Sequence, residues 1–406
     1  MNLHFPKIRV AGCALAGLAL VFASAPLRAA DEPPVDDRVM FDDFKINGQP
    51  VRMSFDSGAE TTAIFRPAAI RLGLKFSDPS PATKLAPGES PVGRTDPVEF
   101  QFGSQTMTNT LAVLDVPSGL HTDFDGVVGW GPLRRNFFVF DAASSKAKMD
   151  AAGQPPTPAA AWQQLPLRRD SKMLVLDIPG QPGQPGGVLI DTGSPYGVKL
   201  SPTRWREWRT AHADAPTTMD AYYTPGIGLV VKEIAWAKDL ILGPLTLSNV
   251  PVQEAAVDVL TIPGYEATLG LTALKCQNVV VDGKNGVAYL SRLTLPAKPY
   301  AHNRLGAVFV PSDMQHDPLE AHVAKGSPAE TAGIRNGDVL LKIDALDVTK
   351  WRTDPAVMPM SKFWERPAGT KFALALKRGD KEFTVVVTLR DILGPGVTAA
   401  GTAPSP

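Results

Sequence analysis

The feature that most constrains this chain is a stretch it writes twice. Residues 51–65, VRMSFDSGAETTAIF, are echoed by residues 187–200, GVLIDTGSPYGVKL. Laid together without a gap, 55–67 runs beside 190–202, which sets Asp56 on Asp191, Ser57 on Thr192, Gly58 on Gly193 and Phe65 on Leu200. In each copy an apolar strand runs into Asp-Ser/Thr-Gly and then into a second apolar strand. A further pair repeats downstream, where DGVVGWG (125–131) matches EATLGLT (266–272), and the match continues ungapped to Asp141 on Asp282. A lone Asp at the end of a strand is most simply a turn cap. Two in equivalent halves, each followed at similar distance by its own glycine element, Gly129 and Gly270, point instead to a duplicated unit of about 100 residues, too long a period for a solenoid.

The local signals repeat with the motif. Residues 39–46 and 51–55 flank Asn47-Gly48, a strong hairpin signal, and the second strand delivers Asp56. Residues 77–97 are rich in Pro, Gly and Ser and read as a mobile surface loop. Strands are expected again at 98–102 and 110–116, about a Gly103-Ser104 turn, and at 137–140. In the second half, 173–178 and 188–190 form a hairpin around a Gly/Pro loop and deliver Asp191. Residues 203–228 read as the counterpart of the mobile loop, with strands at 240–242 and 245–250. Residues 151–166, rich in Ala, Pro and Gln, read as the connector between halves.

From Leu305 the texture changes and no third Asp-Ser/Thr-Gly appears. Ser327, Pro328, Glu330 and Gly333 spell the cap, first turn, capping box and end of a short helix. Asn336-Gly337-Asp338 turns into a strand over 339–343, and strands at 371–376 and 383–389 flank an Arg378-Gly379-Asp380 turn.

At 406 residues the chain exceeds one ordinary core. With 41 basic and 41 acidic residues it offers no general electrostatic attraction to nucleic acid or an anionic membrane. Lys7 and Arg9 precede an apolar run over 10–23 and then small residues, the layout of a signal peptide over 1–30; the run is too short for an ordinary membrane span. Its removal leaves Cys276 as the single cysteine, so no internal disulfide is possible. A short signal without disulfides suggests a bacterial envelope protein, periplasmic or secreted, with no integral membrane segment in the mature chain.

Two carboxylates brought together on a pseudo-twofold axis hold one water between them. Like charges about 3 Å apart do not both ionise easily, so the pair keeps one proton over a range of pH. One Asp is then a general base for water while the other, protonated, polarises a carbonyl. That chemistry hydrolyses an amide without a metal, a cofactor or a covalent intermediate. The other candidates carry less. His121, His212, His302, His316 and His322 show no metal-ligand spacing and no nucleophile partner. Cys276 beside an apolar strand reads as a buried inert thiol. Gly126, Gly129 and Gly131 lack the spacing and the surrounding βαβ unit of a dinucleotide loop.

On FDSGAETT and IDTGSPYG, each paired with an apolar-apolar-Gly element (Val127-Val128-Gly129, Thr268-Leu269-Gly270), residues 38–293 resemble the pepsin/retropepsin superfamily of aspartic peptidases in a single-chain, two-lobed form. The resemblance implies a mostly β, acid-protease-type β-barrel fold with lobes at 38–150 and 151–300. It implies Asp56 and Asp191 as the catalytic dyad, Ser57 and Thr192 as an interlock, and Gly58, Gly129, Gly193 and Gly270 as supporting turns. Pepsin-like lobes carry a hydroxyl after the Gly; Ser194 supplies one, whereas Ala59 is of the retroviral type. The loop 77–97 has no tyrosine where pepsins place one on their flap. Tyr222 and Tyr223, beside a Gly-rich tip, are flap candidates for the second lobe, the alternative being that they cover apolar surface. Residues 303–391 resemble a bacterial PDZ domain through GSPAETAGIRNGDVLLKID (326–344), followed by a disordered tail over 392–406. Such domains add a chain end as an extra strand and hold its carboxylate on loop amides; Arg304, Leu305, Gly306 and Ala307 are the candidate loop. The reading that follows is an exported aspartic endopeptidase acting on extended polypeptide. The rival is a peptide-binding envelope protein that uses the same cleft and PDZ domain without hydrolysis.

Overall fold

Asn47 and Gly48 both adopt positive φ, 48° and 76°, in the computed structural model of the chain. That geometry folds Phe44–Ile46 back on Gln49–Val51 with Ile46 opposite Gln49, as a two-residue turn of mirror-image type requires. The structure describes residues 39–394 apart from 42, 79–92, 103–104, 116–123, 142–145, 151–152, 159–161, 181–185, 225–227, 256–263, 276, 294–299, 313–315 and 355. The signal-peptide reading, the Gly103-Ser104 turn, Cys276, most of the first-lobe loop and residues 395–406 lie outside the described residues; the disordered-tail reading of 392–406 is corrected at its start, where Ile392 and Leu393 are buried against Ile234.

The strand expected over 51–55 is broken at exposed Arg52. Gln49–Val51 stays with the hairpin, and Met53–Asp56 joins a different sheet. All four residues of the latter are buried, as a strand covered on both faces demands. Residues 105–109, unassigned by the sequence reading, form a strand paired with Val98–Phe102.

The two lobes repeat one topology. In the first, Gly126–Gly129 lies between Met53–Asp56 (parallel) and Ala63–Phe65 (antiparallel). Ala112–Leu114 follows in parallel, then Gly93–Thr95 and Phe76–Ser77, both antiparallel. In the second, Ala267–Leu269 lies between Val188–Ile190 (parallel) and Val198–Leu200 (antiparallel). Leu245–Glu254, Gly228–Leu242 and Thr217–Thr224 then follow with the same senses. The second sheet adds Val175–Leu176 outside Val188–Ile190, the hairpin expected from the sequence.

The lobes are joined by a shared sheet. Phe137–Asp141 pairs antiparallel with its equivalent, Gln277–Asp282, setting Phe137 opposite Asp282 and Phe140 opposite Val279. Phe138 (0% exposed) reaches from this sheet to Phe55, with ring centroids 4.7 Å apart, and so packs the joint against the residue before Asp56. The connector reading of 151–166 is corrected at its end. Gln163–Pro166 is a strand of the shared sheet, held by Val287–Arg292 and burying Leu165.

Short helices follow the repeated strands. Arg66–Arg71 and Pro202–Ala211 occupy equivalent positions after Phe65 and Leu200, and Trp130–Leu133 matches Leu271–Leu274. The loop expected over 203–228 is thus a helix and a strand, Thr217–Thr224. Ser201 caps the helix, its Oγ accepting from Arg204 N–H, Pro202 opens it, and Trp205 and Trp208 are buried on one face.

Residues from about 303 have a core of their own, built on Leu305, Phe309, Leu340, Trp364, Phe372 and Leu376. The sheet runs Ala307–Val310, Leu319–Val323, Val339–Ile343, Lys371–Arg378, Lys381–Thr388, which leaves Ala307–Val310 at one edge. Helix Pro328–Thr331 is capped by Ser327 Oγ, which accepts from Glu330 N–H at 3.1 Å. Glu330 reaches back to Gly326 N–H (2.6 Å), one residue before the usual capping-box partner. Among the described residues no helix is long and apolar enough to cross a membrane.

Candidate active site

Asp56 ends its strand opposite Gly129 in the parallel ladder, and Asp191 follows Ile190, which sits opposite Leu269. Each Asp turns sharply into its own glycine. Gly58 N–H donates to Asp56 Oδ1 at 2.9 Å, and Gly193 N–H donates to Asp191 Oδ1 at 3.1 Å. The following residue closes the turn in both copies, Ala59 N–H on Asp56 O and Ser194 N–H on Asp191 O, each at 3.2 Å. The downstream elements back these turns symmetrically: Trp130 N–H donates to Ala59 O (2.9 Å) and Leu271 N–H to Ser194 O (2.8 Å). Gly129 and Gly270 lie so close behind that a Cβ on either would stand 2.8 Å from the carbonyl oxygen of residue 59 or 194. Ala59 and Ser194 thus do the same backbone work. Ser194 Oγ is buried with no hydrogen-bond partner among the described residues.

The two halves interlock through the residues next to the acids. Ser57 Oγ donates to Ile190 O (2.6 Å) and accepts from Thr192 N–H (3.0 Å). Thr192 Oγ1 donates to Phe55 O (2.8 Å) and accepts from Ser57 N–H (3.0 Å). Both side chains are fully buried, so these four bonds satisfy groups that have no access to water.

The interlock brings the carboxyls face to face. A Cβ on Gly193 would lie 2.5 Å from Asp56 Cγ, and one on Gly58 would lie 2.8 Å from Asp191 Oδ1. Each carboxyl therefore rests on the bare backbone of the opposite turn, within hydrogen-bond reach of its partner. Burial, and then the charge of Asp191 beside it, hold the Asp56 carboxyl well above the usual carboxylate range; its own amide donors pull the other way and lose. The two carboxyls titrate as a coupled pair, which holds a proton into the range where an isolated carboxyl has lost its own. Next to the dyad loop, Glu60 Oε2 lies 3.7 Å from Lys172 Nζ of the second half, and burial raises its carboxyl too. The sequence reading passed over Glu60; its position two residues beyond the Gly was the available signal.

Tyr222 reaches the same neighbourhood from the long hairpin of the second lobe. Its ring is buried 5.3 Å from that of Tyr196, five residues past Asp191, and Lys199 Nζ stands 4.8 Å from the Tyr196 ring and 5.6 Å from the Tyr222 ring. Tyr196 was also passed over. Tyr223 lies in the same strand, opposite Leu229. Arg304, Leu305, Gly306 and Ala307 lie together at the start of the edge strand. Arg304 is buried, with its guanidinium on Asp391 (2.6 Å) and Glu365 O (2.8 Å). The amides of Leu305 and Gly306 both donate to Asn303 Oδ1, at 3.0 and 3.1 Å. Among the described residues no three His, Cys, Asp or Glu side chains are placed to hold a metal ion.

A search among curated proteins finds no match to the chain. Residues 43–131, the stretch that holds Asp56, its turn and the backing Gly129, match the sequence model of a family described as aspartyl protease.

Proposed function

We propose that the chain is an exported aspartic endopeptidase that hydrolyses peptide bonds in extended polypeptide laid between the lobes. The observation that carries the reading is the Asp56–Asp191 pair, two acids from equivalent turns, each carboxyl seated against the glycine of the other turn. In the proposed step Asp191 takes a proton from water, whose oxygen bonds to the scissile carbonyl carbon. The Asp56 proton passes to the carbonyl oxygen, giving a gem-diol. Collapse of the diol breaks the C–N bond: one hydroxyl proton returns to Asp56, and the proton that Asp191 took from water passes to the leaving nitrogen, which gives a carboxylic acid and an amine and restores the dyad. The glycine amides hold the carboxylates throughout, which fixes their geometry before substrate arrives. The signal-like leader supports a periplasmic or secreted location. The PDZ-like sequence of residues 303–391 supports docking of a substrate or partner chain end on that region through groups other than the amides of Leu305 and Gly306, which Asn303 already takes.

Incubation with an unfolded protein tests the reading. New peptides seen by mass spectrometry, suppressed by a statine-type mimic of the gem-diol and absent with Asp191→Asn, are the expected outcome. Cleavage that persists in Asp191→Asn overturns it.

A further inference from the structure

Among the described residues the strand Ala307–Val310 has a ladder partner on one side only, Leu319–Val323. Its other side faces the second lobe. Thr218 Oγ1 donates to Asn303 O at 2.6 Å. The Asn303 carboxamide donates to Met219 O (3.0 Å) and to Ala307 O (2.8 Å), bridging the hairpin strand Thr217–Thr224 to the edge strand. Its oxygen takes the amides of Leu305 and Gly306, so all four hydrogen-bonding positions of this one side chain are used at the junction. Apolar contacts from both sides close it. Met219, Ala221 and Val231 of the hairpin pack with Val308 and Ala324. Ile234 and Trp236 pack with Tyr300, Ile392 and Leu393.

The gripped element runs to the dyad. The strand that holds Thr218 and Met219 also carries Tyr222, packed on Tyr196 in the loop after Asp191. A hairpin anchored only at its base would sample many positions over the cleft, and each would have to be given up on binding a substrate. We propose that the C-terminal domain is an internal brace for this hairpin, with Asn303 as the positioning residue that sets how tightly an extended polypeptide is held over the dyad. The coupling to substrate rests on the peptidase reading; the brace itself does not. From within the chain, Asn303 takes the loop amides of Leu305 and Gly306 and the carbonyl of Ala307 at the start of the edge strand.

The test uses the full chain and two variants. Asn303→Asp keeps the oxygen for Leu305 and Gly306 but turns the bridge into a repulsion between oxygens. Thr218→Val is isosteric and removes only the bond to Asn303 O, and Thr218→Ser serves as its conservative partner. Amide exchange across 217–224 is expected to speed up at least tenfold in Asn303→Asp and Thr218→Val and to stay near wild type in Thr218→Ser. For an extended peptide, KM is expected to rise about tenfold in the first two variants with kcat within about twofold. Unchanged exchange in both variants overturns the brace. Faster exchange with unchanged KM overturns its role in binding substrate. A wild-type chain that cleaves nothing overturns the peptidase reading alone and leaves exchange to decide the brace.

Discussion

Asp56→Asn separates the chemistry of the dyad from its cost to the fold. The amide keeps the size of the carboxyl and an oxygen for Gly58 N–H, and removes only the titration. In the folded chain burial and the neighbouring Asp191 push Asp56 up to about 8, whereas an unfolded chain titrates it near 4. Between those values the unfolded chain releases the proton and the folded chain keeps it. The wild type therefore loses stability as pH rises, by about 1.4 kcal/mol per pH unit. Over the interval from about pH 4.5 to about pH 7 that amounts to roughly 3 kcal/mol. Asp56→Asn has no such dependence, so the stability gap should swing towards the variant by that amount, whatever its value at the acid end. Urea unfolding followed by tryptophan fluorescence at both pH values measures the swing, and a peptide-cleavage assay on the same samples should show turnover lost. A gap that stays flat, or swings towards the wild type, refutes the argument that ionising this pair is what the fold resists.

Three further outcomes can be checked. Thr192→Val removes two buried interlobe bonds and strands Phe55 O and Ser57 N–H, so it should cost about 3 kcal/mol in urea unfolding; a change under about 0.5 kcal/mol would contradict the interlock. Gly193→Ala places a methyl 2.5 Å from Asp56 Cγ, and should lower kcat/KM by roughly a hundredfold or more while circular dichroism stays native; wild-type turnover would show that the turn yields. His302 Nε2 accepts from Ile392 and Leu393 N–H while Nδ1–H donates to Tyr300 O, and burial depresses its pKa to about 4. A depressed histidine contributes stability that is present above about pH 6.5 and lost as pH falls towards 4. Exchange protection of the two amides, corrected for intrinsic rate, should therefore drop roughly a hundredfold across that interval. In His302→Gln the drop should vanish.

The pairing of the two acids was legible because duplication turns a weak tripeptide into a register: once Asp56 lies on Asp191, Ser57, Thr192, Gly58 and Gly193 follow, and the second repeat of 125–131 in 266–272 adds Gly129 and Gly270. The Asn47-Gly48 hairpin and the Ser327 cap were legible because their signals are local. Trp130–Leu133 and Leu271–Leu274 escaped because a single helical turn leaves no period to read. Pro202–Ala211 had a signal, Ser201-Pro202, that its neighbours in a Pro-containing stretch obscured. Gln163–Pro166 escaped for another reason: its partner, Val287–Arg292, lies more than 100 residues on, and its own composition is that of a linker. Asn303 was invisible as anything but a polar residue before a loop, since the hairpin it grips comes beside it only through the tertiary fold.

The shared sheet has a consequence in time. Phe137–Asp141 leaves the ribosome well before Gln277–Asp282, its partner across the joint. Until the later strand emerges, the first lobe carries one acid and half of an interlock. A half-synthesised chain therefore holds no completed acid pair, and any chemistry of that pair waits on the second lobe.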